Sequence, residues 1–453
     1  MNSTGASTVG ASHHKATQLF SLQQRSKYAA KTSLAADRKA KLAKFREAIL
    51  ARKEEVCAAM YADLRRSAAT AVSEIMATIA DIDLAIAQLD DWMAPEVVEP
   101  SPHFAGARAE VRHEARGQVL VLGPWNFPIG LVLQPIVAAI AAGDCVIAKP
   151  NEMAPACSAV TAQIVRAAFD ERDCAVVEGG VDLANNLLAM PFDHIFFTGS
   201  PAVGRLVMAA AAQHLASVTL ELGGKSPTIV HADADLASAA GKIAAGRCTN
   251  AGQLCLAPDH VWVHRSVSDK LVDELKRAFL RLFFVDGGLN ADAVGKLIDA
   301  RNFARVQGYV SDAVERGARV VFGGEADPEA RTLEPTILLD VPLAAKVMQE
   351  EIFGPVLPVM VYDDVGEVID YVQGHGKPLA LYVFSQDQAF VERVLSNTSS
   401  GGVTINGVIL HAAESRLPFG GVNHSGIGRY HGVHGFRELS HQRSIFIPAA
   451  MKA

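Results

Sequence analysis

Residues 118–148 read QVLVLGPWNFPIGLVLQPIVAAIAAGDCVIA, and Asp144 is the only charge among them. A run this apolar raises a membrane span, which needs about 20 unbroken apolar residues. Gly123, Pro124, Asn126, Pro128, Gln134 and Pro135 interrupt it. The run divides better into a buried strand at 119–122, a loop, a buried helix at 131–142 and a second strand at 145–148. Downstream the alternation continues: helix 157–169, strand 175–177, helix 183–189, strand 195–197, helix 202–212. Strands alternating with helices of this length form βαβ units around a parallel sheet, so the fold class is α/β. Ligands of such sheets sit at the carboxyl ends of the strands, which points to the residues just past 122 and 197.

Upstream, Leu42, Phe45, Ile49 and Val56 recur at helical spacing among charges over 34–64, and a second helical pattern covers 71–92. Pro95, Pro100 and Pro102 end it, and 107–113 alternates like an exposed strand. The first 15 residues are rich in Ser, Thr, Gly and Ala, without a basic region leading into an apolar stretch. They read as part of a flexible tail and not as a secretory signal. In the second half, 228–230 and 260–264 are strand candidates, with helices near 238–248 and 268–282. Pro418, Gly420, Gly421, Gly426, Gly428, Gly432 and Gly435 crowd one short span, which reads as a loop and not a helix. No repeat of fixed period is present, against a solenoid.

The chain has 453 residues, enough for two or three domains with real cores. Its net charge of −7 gives no electrostatic reason to bind nucleic acid or anionic membrane, leaving small molecules as partners. Six cysteines without a C-x-x-C pair indicate neither a disulfide framework nor a zinc site; reduced, cytoplasmic thiols are expected. The 15 histidines are scattered, with no H-x-x-x-H on an expected helix, so no metal is expected.

Four places could carry chemistry. Cys255, in NAGQLCLAP (250–258), follows a glycine turn, where a thiolate can be an exposed nucleophile; most lone cysteines are instead small buried hydrophobes. Glu221 closes an apolar strand before two glycines, placed as a general base or as an ordinary strand-end carboxylate facing water. The Gly224-Lys225-Ser226 that follows is no phosphate loop, because residue 219, where that motif needs glycine, is Thr219. Gly199-Ser200-Pro-Ala-Val-Gly204 opens a helix after a strand, where backbone donors favour a pyrophosphate, or where a tight turn is all that is needed. Asn126, in GPWNFP (123–128), could donate to a developing oxyanion or satisfy backbone in a Pro-flanked turn.

Taken in order, GPWNFP, KPNE (149–152), FTGS-x-x-x-G ending at Gly204, LELGGKSP (220–227), GQ-x-C ending at Cys255, EIFGP (351–355) and PFGG (418–421) resemble the aldehyde dehydrogenase superfamily over about residues 30–445. The closing stretch from Leu417 to His441 is similar to the class 3 branch. NAG-Q-x-C-x-APD (250–259) and GS-x-AVGR (199–205) look most like bacterial coniferyl-aldehyde dehydrogenases. Two positions depart from the family pattern: Asn423 stands where glycine is usual, and Pro201 is unusual in the cofactor turn.

The resemblance implies a Rossmann-like cofactor domain (31–96 and 117–221), a bridging hairpin (97–116), a catalytic α/β domain (222–411) and a C-terminal loop and bridging tail (412–453), after a flexible tail at 1–30. It also implies Cys255 as nucleophile, Asn126 with the Cys255 N–H as oxyanion donors and Glu221 as the base that hydrolyses a thioester. Trp125, Lys149, Glu152, Gly199, Ser200, Gly204, Glu351 and Phe353 would hold the cofactor. Glu152 favours NAD, because a carboxylate accepts from a ribose hydroxyl and repels a 2′-phosphate; class 3 relatives also use NADP. The expectation is a homodimeric enzyme oxidising a hydrophobic or aromatic aldehyde such as coniferaldehyde. Fatty or medium-chain aldehydes, an acylating relative and a non-catalytic scaffold are the alternatives.

Overall fold

The structure is a computed structural model that describes residues 3–449. Its six-stranded sheet runs Gly426–Ile427, Ser217–Glu221, His194–Thr198, Gln118–Leu122, Cys145–Lys149, Cys174–Val176. Neighbours are parallel except at the Gly426–Ile427 edge. Three of these strands, starting at Gln118, Cys145 and His194, are buried along their whole length, as a parallel sheet covered on both faces requires. Strand order reverses between Gln118–Leu122 and His194–Thr198, and the loops with Asn126 and Gly199 leave from those two carboxyl ends. A crevice therefore opens where ligands bind in this class of sheet.

The seven-stranded sheet runs Arg319–Phe322, Thr336–Leu339, Val356–Tyr362, His260–His264, Pro227–Val230, Ala380–Phe384, Gly402–Ile405. Only its first pair is antiparallel. A third, antiparallel sheet joins Glu96–Val98 and Arg108–Ala115 to Ser440–Ile447. Among the described residues no helix is long and apolar enough to cross a membrane.

Three expectations need correction. The tail at 1–30 gives way to a helix, Ser3–Lys31, lying across the amino ends of the six-stranded sheet. Ala16 and Leu19 are buried, and Gln23 Nε2 donates to the carbonyls of Val146 at 2.8 Å and Glu171 at 3.0 Å. Lys27 pairs with Asp193 at 2.9 Å and Lys31 with Glu114 at 2.6 Å. These tertiary contacts override the weak helix propensity of a Ser/Thr/Gly-rich start. The helical pattern over 34–64 breaks at Arg52 into Ala35–Ala51 and Lys53–Leu64. The glycine-rich end also holds a helix, Gly432–Glu438, because Gly435 lets it lie against Ala138 while Phe436 is buried. Within the same region, Gly426–Ile427 joins the cofactor-side sheet instead of remaining a loop.

Candidate active site

The helix Leu236–Cys248 ends in a turn with three successive left-handed residues, Asn250 (φ 54), Ala251 (φ 53) and Gly252 (φ 73). Such a run is costly for L-residues and persists only where the surroundings over-determine it. Here they do. Arg247, fully buried, donates to the carbonyls of Gly252 at 2.9 Å and Pro258 at 3.1 Å. Gln253 Nε2 donates to the carbonyls of Asn250 and Lys296, both at 3.0 Å. A side chain at Gly252 would strike the Gly354 carbonyl, so this turn and the 351–355 loop abut backbone to backbone.

Cys255 emerges half-buried from this turn. Tyr382 fixes the next residue, its hydroxyl donating to the Leu256 carbonyl at 2.6 Å. Burial, then the carboxylates of Glu351 and Glu221, push the Cys255 thiol above its ordinary value, while its own N–H and that of Leu256 pull the other way. Asn126 comes to the same place from the other sheet: its Nδ2 donates to the Gln253 carbonyl at 3.0 Å, and its own carbonyl accepts from Asn250 Nδ2 at 2.8 Å.

Glu221 is buried with neither carboxylate oxygen partnered. Burial lifts it well above the usual carboxylate range; Glu438 adds to the lift and Arg429 opposes it. A proton-accepting group held without partners near a thiol suits general-base work on water.

The loop bearing Glu351 is fastened from three sides. Arg305 donates to the carbonyls of Ile352 at 2.8 Å and Phe353 at 3.4 Å. Lys225 donates to the carbonyls of Val347 at 2.8 Å and Glu350 at 2.9 Å, and Asp259 accepts from the Ile352 N–H at 3.0 Å. Lys225 and Asp259 are themselves a buried ion pair, with Arg247 at 3.8 Å and His260 at 3.5 Å from Asp259. Burial alone would raise Asp259, but Lys225, then His260 and Arg247, overcome it and hold the carboxyl below its usual range. Burial, then Asp259, lifts Glu351 to about 8, and one of its oxygens has no partner.

Most of the remaining expected cofactor residues lie at or just past the carboxyl ends of three neighbouring strands, Gln118–Leu122, Cys145–Lys149 and His194–Thr198. Trp125 stands edge-on to Phe353, ring centroids 5.4 Å apart. Lys149, buried, reaches Glu152 at 2.7 Å. Ser200 caps the helix Pro201–Ala212, its Oγ accepting from Val203 N at 3.4 Å, and Pro201 fits as a first helical residue. A side chain at Gly199 would meet the Phe197 ring, and Gly204 is buried against Leu222. A helix N-terminus, an open glycine turn, a partly exposed Glu152 beside a lysine and the unpartnered oxygen of Glu351 together fit a dinucleotide. A separate cleft of about 330 Å³, lined by Lys15, Arg166 and Glu171, shares no residue with this site.

Several supports carry no signal legible in one sequence. Arg305, Arg247 and Tyr382 lie outside the readable motifs and act through backbone carbonyls; Asp259 closes the 250–259 stretch, but nothing there signals that it accepts from the Ile352 N–H. Lys225 belongs to the LELGGKSP stretch, and its partner is Asp259. Tyr430 is fully buried, packed edge-on against Phe196 at 5.2 Å and Phe419 at 5.5 Å, and its hydroxyl feels the charges of Glu221, Asp81 and Cys255.

Comparison with known proteins identifies the family. The family model described as "Aldehyde dehydrogenase family" matches residues 4–445. AldX of Bacillus subtilis, which carries an aldehyde dehydrogenase name, is 45% identical over 96% of this chain and 98% of its own. A Caulobacter vibrioides protein named as a probable coniferyl aldehyde dehydrogenase is 43% identical over 84% of this chain and 80% of its own. The substrate-bound structure of Staphylococcus aureus AldH superposes with a TM-score of 0.91 at 35% identity, covering 95% of this chain and 93% of that one. The chain belongs to the aldehyde dehydrogenase family, as an NAD(P)-dependent enzyme of aldehyde oxidation.

Proposed function

We propose that Cys255, Asn126 and Glu221 carry the oxidation of a hydrophobic or aromatic aldehyde to its acid. The observation that supports this most directly is the placement of Glu221 and Glu351 close enough to Cys255 for their charges to act on its thiol. The Cys255 thiolate attacks the aldehyde carbon and forms a C–S bond. Asn126 has one amide N–H committed to Gln253 and a second free to meet the oxyanion, beside the Cys255 backbone N–H. A nicotinamide cofactor held by the residues named below would supply the hydride acceptor that converts the thiohemiacetal to the thioester. Glu221 then takes a proton from water as the water oxygen attacks the thioester; the C–S bond breaks, the acid leaves and Cys255 regains its thiolate.

Trp125, Phe353, Glu351, Lys149, Glu152, Gly199, Ser200 and Gly204 are assigned to the cofactor. Lys149 partly offsets the charge of Glu152, so NAD is preferred and NADP remains usable. For the substrate, the loop positions assigned to the pocket, near Trp125 and Ile409, are partly buried apolar side chains, and an apolar aldehyde suits them. Coniferaldehyde is the specific proposal, supported by the name of the Caulobacter relative. All six cysteines are unpaired, in keeping with a reducing cytoplasm.

The test is NAD and NADP reduction by the purified protein and by Cys255→Ala, with coniferaldehyde, benzaldehyde and medium-chain aliphatic aldehydes. Acid formation by the parent and none by the variant supports the nucleophile and ranks the substrates. Equal turnover by both proteins would remove Cys255 from the mechanism.

A further inference from the structure

Arg65, Arg66 and Ser67 form a short corner between the helices Lys53–Leu64 and Ala68–Met93. Arg65 ends the first helix in the left-handed region (φ 56), and Arg66, the next residue, is buried. The Arg66 guanidinium carbon stands 4.4 Å from the ring centroid of Phe127, the residue next to Asn126. One guanidinium nitrogen pairs with Glu74, also buried, and the other donates to the Thr70 carbonyl at 3.1 Å. Glu74 carries the connection onward. Its Oε1 accepts from the N–H groups of Ile129 at 3.1 Å and Gly130 at 2.6 Å, where the helix Gly130–Ala142 begins. A negative charge also suits this end of a helix.

The same corner reaches the other side of the site. The Leu64 carbonyl accepts from the Lys296 N–H at 3.1 Å, and Lys296 Nζ donates to the Ala62 carbonyl at 2.7 Å. The Lys296 carbonyl accepts from Gln253 Nε2 at 3.0 Å, and the Ile298 N–H donates to Gln253 Oε1 at 2.9 Å. Gln253 is also the residue whose carbonyl receives the Asn126 amide. One corner is therefore bonded to the loop that bears Asn126 and, through 296–298, to the turn that bears Cys255. A buried ion pair adds little net stability, because desolvation offsets the attraction. What a guanidinium supplies is direction: its planar edge meets two acceptors while its face covers a ring.

We propose that Arg66, with Glu74, is a positioning residue of the oxyanion site. The proposal rests on the reading of Asn126 as the oxyanion donor. Arg66 fixes Phe127 on one side of Asn126, and Glu74 fixes the backbone two and three residues beyond it. Held at these points and at Gln253, the Asn126 amide keeps its second N–H in one direction through the reaction. Neither Arg66 nor Glu74 touches the reacting atoms; both act through Asn126.

The test replaces the pair together, Arg66→Met with Glu74→Gln, so that no unpaired charge is left buried. Stopped flow follows first-turnover NADH formation by the full chain with benzaldehyde and NAD. The rate should fall about tenfold, short of the ~100-fold or greater loss for removing the donor itself. Iodoacetamide alkylation of Cys255 in cofactor-free enzyme builds no oxyanion and should keep its parent rate. In an Asn126→Ala background the pair replacement should cost less than about twofold more, because its effect passes through that amide. Arg66→Lys keeps the charge beside Glu74 without the planar fork, and should slow the first turnover severalfold with alkylation unchanged. A parent-like first turnover in both variants overturns the positioning role. So does alkylation that falls in step with turnover, or the full tenfold loss repeated in the Asn126→Ala background. Asn126→Ala by itself separates the two readings. If it is slow while the pair variant matches the parent, the donor stands and the positioning role falls. If it turns over at the parent rate, both fall.

Discussion

Asn126 Nδ2 donates to the main-chain carbonyl of Gln253 across 3.0 Å, tying the loop after one sheet to the turn that carries Cys255. One side-chain amide therefore holds two loops in register, and it keeps a second N–H that this bond does not use, the one proposed to meet the oxyanion. Asn126→Ala should lower kcat about 100-fold or more with a small change in KM, the loss typical of one oxyanion donor. Steady-state kinetics with a saturating aldehyde check this; a change confined to KM would contradict the assignment.

The Cys255 thiol is raised by burial first and by Glu351 next. Glu351 itself titrates at about 8, so its charge is present above that pH and mostly absent at pH 6.5. In cofactor-free enzyme, iodoacetamide should alkylate Cys255 faster as pH rises. Glu351→Gln should alkylate several-fold faster than the parent at pH 9, an effect of a nearby like charge. Below pH 7 the two rates should converge. Peptide mapping of the labelled cysteine reads the result.

Acid should unfold the protein in two stages. His260 and His411 are lowered by burial to about 4, so the unfolded chain binds more protons between about 6.5 and 4 and stability falls across that window as pH drops. Asp259 is held below its ordinary value, so its contribution is complete above about 4 and is lost below it. Asp259→Ala leaves Lys225 and Arg247 as buried, uncompensated charges and should cost about 3–5 kcal/mol at pH 7. Urea unfolding of parent and variant at pH 7, 5 and 3.5 measures both effects.

Glu152 sits 2.7 Å from Lys149 at the expected ribose position. Glu152→Gln removes the charge that repels a 2′-phosphate and leaves Lys149 to attract it. The ratio of kcat/KM for NADP over NAD should rise about tenfold or more, the scale of one charged contact. No change in the ratio would place the adenosine ribose elsewhere.

The sheet of Glu96–Val98, Arg108–Ala115 and Ser440–Ile447 carries exposed Val97, Val98 and Phe446, and the exposed Phe104 of the turn between its first two strands lies with its ring 5.0 Å from that of Phe446. Apolar side chains on an open sheet are usually covered by a partner. We expect a homodimer through this sheet, and Val97→Glu with Phe446→Glu should shift sedimentation toward the monomer without altering the circular dichroism spectrum.

The α/β class and the positions of Asn126, Gly199 and Cys255 were legible along the chain, because strand–helix alternation and glycine turns are local signals. The helix Ser3–Lys31 was not, because its evidence is contact with Val146, Glu171 and Asp193, far away in sequence. The helix Gly432–Glu438 was hidden for the same reason: its glycines signal a loop, and only the fit against Ala138 makes them suit a helix.

By itself, then, the sequence determined which chemical groups this protein possesses and the order in which strands and turns present them. Tertiary structure alone decided what those groups are. It left Glu221 buried without a partner, brought the charge of Glu351 to bear on Cys255, and joined Lys225 to Asp259 and Arg305 to the 351–355 loop. The physical reason is that a carboxylate's protonation and a thiol's reactivity depend on burial and on charges a few ångströms away, and those neighbours come from segments distant in the chain.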